Sequence, residues 1–250
     1  MSVSPTWFRV YRPVSRPRLR LVCFPHAGAG ATAYRTWTNL LPPDVELVSV
    51  CYPGRQDRFN EPFAASLDAL AAAVTTALVP LTGAPFALFG HSMGSQVAYE
   101  VAVRLERQGI VPRHLFVSGR WAPDRVDNRK LHLAEDDELI AEITRLGNGD
   151  LNILAFAELR EMMLSVLRAD YRLLAEHRRA GIDRISAPIA AYSGDRDPGC
   201  APSDAAQWER ATTGRFELRV FPGDHFYLVP GAAELVKDLV GRLSGVVTSR

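Results

Sequence analysis

Six short apolar runs punctuate this chain: LRLVCF at 19–24, VELVSVC at 45–51, PFALF at 85–89, HLFVS at 114–118, PIAAYS at 188–193 and FELRVF at 216–221. The longer stretches between them carry helical spacing. A strand that is apolar at nearly every position is buried on both faces, and such strands belong to a mostly parallel sheet covered by helices on both sides. The expected class is therefore α/β.

The intervening stretches fit that frame. Ser66 is placed to cap a helix through SLDALAAAVTTALVPL, with Asp68 in the first turn and Leu67, Leu70, Val74 and Leu78 at helical spacing. A second helix spans 94–108, stopped by Gly109 with Pro112 beyond, and a last one runs from Ala232 to about Leu243 with Leu235, Leu239 and Leu243 toward the sheet. Between Arg120 and Ala187 the alternation stops. AEDDELIAEITRLG, a break at Asn148-Gly149, and AELREMMLSVLRADYRLLAEHRR all read as helix. Because the strand pattern resumes at Pro188, one domain over 1–250 is expected, with a helical lid inserted at 121–186. The second lid helix is more apolar than one packed face requires. Met162, Met163 and Leu167 are candidates for lining an acyl-chain channel, against the plainer reading that they fill the core.

Composition excludes several classes. The formal net charge of +1 over 250 residues gives no reason to expect a nucleic-acid partner. No window approaches the length of a membrane-spanning helix, and MSVSPTWFRVYRP lacks the apolar core of a secretory signal, so a cytoplasmic protein with no membrane partner is expected. Cys23, Cys51 and Cys200 match neither a zinc-site nor a disulfide spacing, and Cys23 and Cys51 read as core filler.

The chemistry centres on Gly90-His91-Ser92-Met93-Gly94, a G-x-S-x-G motif between a strand and a helix. In that setting a serine sits on a sharp turn with its hydroxyl exposed above the sheet, and flanking glycines relieve the crowding. Such a hydroxyl needs a base and an acid to orient it. In the chain order of the α/β-hydrolase fold the acid precedes the histidine and both follow the serine. His26 and His91 come too early, while His114, His132 and His177 fall at a strand start or in charged helical surroundings. His225, in VFPGDHFYLVP between the last strand and last helix, remains as the base. The acid is Asp195 or Asp197 in YSGDRDPGC, and spacing alone does not choose. The oxyanion of the reaction would be met by the Met93 N–H and by a donor from the small-residue loop FPHAGAG, with Ala27 the candidate.

FPHAGAG, CYPGRQDRF, FGHSMGSQVAYE, LRADYRLL, SGDRDP and GDHFYL, taken in order, resemble the type II thioesterases of modular polyketide synthases and nonribosomal peptide synthetases, from about Leu19 to Val236. The resemblance implies an α/β-hydrolase that removes acyl groups from the phosphopantetheine arm of acyl or peptidyl carrier proteins, clearing stalled or misprimed units. It also implies Ser92 as nucleophile, His225 as base, Asp197 (the aspartate before Pro198) as acid, and Ala27 and Met93 as oxyanion donors. No metal or resident cofactor is expected, since the phosphopantetheine belongs to the carrier protein, and the expected state is a monomer. Arg55 and Arg58, and separately Arg172, Arg178 and Arg179, are candidates for a basic patch that meets an acidic carrier, the alternative being solvated surface arginines. An intracellular esterase on small free esters, or an acyltransferase or cyclase, would use the same triad.

Overall fold

Alternate residues of each central strand face opposite helical layers, which is why those strands are apolar throughout. On β2 (Leu19–Phe24) Val22 and Phe24 enter one core while Leu21 and Cys23 enter the other, and on β4 (Phe86–His91) Leu88 and Phe89 divide in the same way. The computed structural model describes residues 6–147 and 156–244. The expected break at Asn148-Gly149 lies outside them.

The remaining strands are β1 (Phe8–Arg9), β3 (Val45–Val50), β5 (Leu115–Ser118), β6 (Ile189–Gly194) and β7 (Phe216–Phe221). They form one seven-stranded sheet in the order β1-β3-β2-β4-β5-β6-β7, parallel throughout except for β1, which pairs antiparallel with β3. One layer holds α1 (Leu67–Leu78), α2 (Met93–Glu106) and the inward face of α4 (Ala157–Glu176). The opposite layer holds a 3-10 segment at Ala31–Asn39 and α6 (Ala232–Ser244), which buries Leu235, Leu239 and Leu243 as expected. The stretch between β5 and β6 contains α3 (Asp136–Arg145) and α4, and a short α5 (Pro202–Ala206) follows β6. No helix among the described residues is long and apolar enough to cross a membrane.

The predicted helix signals act as local chemistry requires. Ser66 Oγ accepts the Ala69 N–H at 3.1 Å at the start of α1. At the end of α2, Gly109 takes φ +76° while its N–H reaches Glu106 O and the Ile110 N–H reaches Leu105 O. All three cysteines are buried free thiols.

Register places the working end of the molecule. Phe24 pairs with Gly90, His91 with Ser118, and Ser118 with Tyr192, so the carboxyl ends of β2, β4, β5 and β6 finish side by side. The loops carrying Ala27, Ser92, Asp197 and His225 all emerge from that edge, where open parallel sheets hold their ligands.

Candidate active site

Ser92 occupies the turn between β4 and α2 with φ +53° and ψ −119°, a left-handed conformation unusual for a residue with a side chain. The neighbours over-determine it. The Ser92 N–H donates to Ser118 O at 2.8 Å, and the buried Ser95 hydroxyl donates to Gly90 O at 2.8 Å while accepting the Ser118 N–H at 3.0 Å. A Cβ on Gly90 would stand 2.2 Å from Gly94 O, and one on Gly94 would stand 2.0 Å from Phe24 O. Both glycines of the motif are thus required by backbone packed on backbone. Being at the start of α2, Met93 and Gly94 have N–H groups with no intrahelical acceptor, and they lie at the positive end of the helix dipole.

The structure separates the aspartates that spacing left open. Asp197 Oδ2 accepts from His225 Nδ1 at 2.8 Å, while its Oδ1 accepts the backbone N–H groups of Gly199 and Cys200 at 2.7 and 3.1 Å. Since a carboxylate only accepts, Nδ1 carries the proton and Nε2 is left as the basic nitrogen. Asp195 instead accepts the Gly223 N–H at 2.8 Å, and Asp224 the Phe226 N–H at 2.8 Å; both are turn formers.

Ser92 and His225 line one cavity of about 190 Å3 together with Ala27, Met163, Leu167 and Tyr171. Gly119, at φ +59°, leaves the space: a Cβ there would stand 2.7 Å from His91 and 3.1 Å from His225. The histidines set aside on chain order pack around the candidate base. The His91 ring centroid lies 4.8 Å from that of His225, and His26 packs edge-on against His91 at 5.7 Å. Burial holds His91 well below the ordinary histidine range and brings His26 down to about 3, with the neighbouring His225 acting in the same direction on each. His225 is therefore surrounded by neutral imidazoles. His91 Nδ1 lies 2.8 Å from Ser118 Oγ, which in turn lies 2.6 Å from the Tyr227 hydroxyl.

The candidates on α4 divide. Met163 and Leu167 line the cavity with Ser92, but Met162 does not, and it opens instead onto an adjoining groove of about 610 Å3 with Leu159, Phe59 and Gly54. One residue along a helix is a rotation of about 100°, enough to turn Met162 away from the cavity that Met163 enters. The two spaces share His26, Gly28, Ala29 and Met163. A further open groove of about 720 Å3 lies along β7 and α6 among Arg215, Glu217, Arg219 and Asp238, and holds none of the candidate catalytic groups.

The proposed basic patches are corrected. Arg55 is buried and paired to Asp170 through two 2.6 Å hydrogen bonds; Arg58 is buried over the Trp7 ring, bonded to Glu61 and to Cys51 O. Arg179 is largely covered, pairs with the buried Glu100 and lies over Tyr99; His177 and Arg104 bind the same Glu100. Arg172 has a buried Nε with no partner among the described residues, and Arg178 bonds carbonyls at the end of α4. Arg55 and Arg179 thus offset buried carboxylates rather than forming a surface.

Asp170 went unnoticed in the sequence. It is 1 % exposed, and its Oδ2 accepts the Gly28 N–H at 2.8 Å as well as the Arg55 guanidinium. Arg55 also donates to Ala29 O at 3.2 Å. Its signal was available: Asp170 stands three residues after Leu167 and four before Leu174, on the apolar stripe rather than the wet face.

Comparison with known proteins identifies the family. Residues 19–243 match the model of the thioesterase domain. The chain belongs to the thioesterase family. The thioesterase PikA5 of Streptomyces venezuelae is 40 % identical over 242 residues, 96 % of this chain and 86 % of that protein. A probable cadicidin biosynthesis thioesterase of Streptomyces griseus is 40 % identical over 222 residues, where the match spans 89 % of this chain and 62 % of the relative. Among solved structures, the type II thioesterase BorB of the borrelidin biosynthetic cluster superposes with a TM-score of 0.89 at 37 % identity, covering 97 % of this thioesterase and all of that chain. RedJ of the prodiginine pathway in Streptomyces coelicolor does so with 0.86 at 39 % identity, covering 90 % and 91 %. The mostly parallel sheet with helices on both faces is that of the α/β-hydrolase thioesterases.

Proposed function

We propose that this thioesterase hydrolyses acyl groups from the phosphopantetheine arm of acyl or peptidyl carrier proteins in polyketide or nonribosomal peptide biosynthesis, with Ser92, His225 and Asp197 as its triad. The observation that carries the reading is the convergence of a strained Ser92 and an Asp197-oriented His225 on one cavity, in a chain of this family.

His225 Nε2 takes the Ser92 proton as Oγ attacks the thioester carbonyl. The negative charge that develops on the carbonyl oxygen is met by the N–H groups of Ala27 and Met93, from the loop after β2 and the start of α2. As the tetrahedral adduct collapses, the C–S bond breaks and the pantetheine sulfur leaves with the proton held by His225. Water then attacks the acyl-serine with His225 as base, releasing the free acid and restoring Ser92. The acyl chain lies in the cavity under Met163 and Leu167, and the adjoining groove past Met162 suits the pantetheine arm. No metal or resident cofactor takes part in these steps, and the enzyme acts in the cytoplasm.

A mass-spectrometric time course on acetyl-, propionyl- and hexanoyl-carrier protein tests the reading, with Ser92→Ala and a matched p-nitrophenyl ester alongside. Ser92-dependent formation of the free holo carrier, with the simple ester slow, is the expected result. Fast ester cleavage with the carrier untouched would make the enzyme an esterase.

A further inference from the structure

The loop that carries Ala27 is not held by its own strand alone. Gly28 adopts φ +81°, and the position where its Cβ would stand is 2.8 Å from Leu167 of α4, so helix and loop touch where only glycine allows it. At this contact the Gly28 N–H donates to the Asp170 carboxylate at 2.8 Å. Asp170 would be an isolated buried carboxylate were it not for Arg55, whose two nitrogens engage its two oxygens at 2.6 Å and whose Nη1 also reaches Ala29 O. The loop after β2, the loop after β3 and the helix between β5 and β6 thus meet at one carboxylate. A charge-assisted, bidentate pair in a dry site has little positional freedom.

We propose that Asp170, held by Arg55, is a positioning residue for the oxyanion hole: it anchors Gly28 and thereby sets the aim of the neighbouring Ala27 N–H. The inference rests on the oxyanion role given to Ala27 above. Donors in such a hole work only at hydrogen-bond distance from the developing charge, and full loss of one costs roughly 100- to 1,000-fold in turnover. Loosening the loop without removing the N–H should cost less, about 10- to 100-fold. Asp170 touches no reacting atom.

The test uses Asp170→Asn, which keeps the shape and one acceptor but loses the bidentate charge pair, and the double variant Arg55→Leu/Asp170→Leu, which removes both charges and fills the space. Four quantities are read for each: kcat and KM on an acyl N-acetylcysteamine thioester, the affinity of a trifluoromethyl ketone analogue whose tetrahedral oxyanion occupies the hole, and the affinity of the thioether analogue that has no carbonyl. The expected result is a loss of about 10- to 100-fold in kcat and in ketone affinity together, with KM and thioether affinity within about threefold of wild type. Wild-type kcat and ketone affinity in either variant would overturn the proposal. Equal loss of ketone and thioether affinity would also overturn it, because a generally damaged site weakens both. If the leucine pair does not fold, Asp170→Asn decides. Ser92→Ala measured beside them reports on the underlying reading separately: undiminished turnover there would remove the serine mechanism, whatever the Asp170 variants do.

Discussion

His225 and Asp197, 28 positions apart, meet through a 2.8 Å Nδ1–Oδ2 hydrogen bond in which neither side chain is more than 4 % exposed. Water does not compete for this bond, so the imidazole has one orientation. Asp197→Asn should lower kcat by about 10,000-fold, because an amide can leave the histidine in the wrong tautomer. Asp195→Asn, which disturbs only a turn to Gly223, should stay within about tenfold. Steady-state kinetics on one acyl thioester ranks the two, and the reverse order would reassign the acid.

Ser92→Ala and His225→Ala should each remove about 10,000-fold or more of kcat, and the double variant should be scarcely worse than either, since serine and base act as a unit. Additive losses in the double variant would mean that the two residues work independently.

Met163 lines the cavity beside Ser92, whereas Met162 faces the adjoining groove. Met163→Ala should therefore raise kcat/KM for longer acyl chains relative to acetyl, by about 10-fold for the space gained. Met162→Ala should leave that ratio unchanged. A chain-length series on both variants checks the distinction.

Gly94→Ala should destabilise the fold by about 3 kcal/mol, because the new methyl would stand 2.0 Å from Phe24 O and backbone cannot swing aside as a side chain can. Gly109→Ala meets nothing within 4 Å, and its cost comes only from the φ of +76°, about 1 kcal/mol. Urea denaturation of the pair separates crowding from backbone strain.

His114 is buried just before β5, stacked on Phe116 at 4.4 Å, with no partner for Nδ1 among the described residues. Burial, helped by Arg242, lowers it to about 4 from an unfolded value near 6.5. Between those values the unfolded chain binds the proton and the folded one does not, so stability is complete above about pH 6.5 and falls as pH drops toward 4. The loss is at most about 3 kcal/mol. His114→Phe should flatten this part of the stability–pH curve, and an unchanged slope would place the acid sensitivity elsewhere, with His91 the next group to replace.

Local signals were legible where the chemistry is local. The strand-turn-helix setting of Ser92, the Ser66 cap and the Gly109 stop each depend on neighbours within a few residues, and all could be read directly. Chain order points to His225, and separating Asp197 from Asp195 as its partner takes either family resemblance or the hydrogen bond itself. Contacts between distant segments were not legible. The two-residue β1 exists only because Phe8 and Arg9 can pair with Val50 and Ser49. Arg55 and Arg58 look like surface charge until Asp170, Glu61 and Trp7 are seen around them. The separation of Met162 from Met163 requires the rotation of α4 about its axis, which periodicity leaves undetermined within a residue or so.

The hydrogen bond from Gly28 to Asp170 spans 142 positions, and the Arg55 pair spans 115. Contacts of such separation form late, since the chain between them must be ordered first. A ribosome has released Ser92 and its elbow well before it delivers Asp170, and Asp197 and His225 follow later still. A partly made or partly folded chain thus bears Ser92 with neither the proposed base His225 nor a settled loop at Ala27. With the triad proposed above, thioesterase activity requires that the far half of the polypeptide has docked, which makes turnover a sensitive gauge of complete folding.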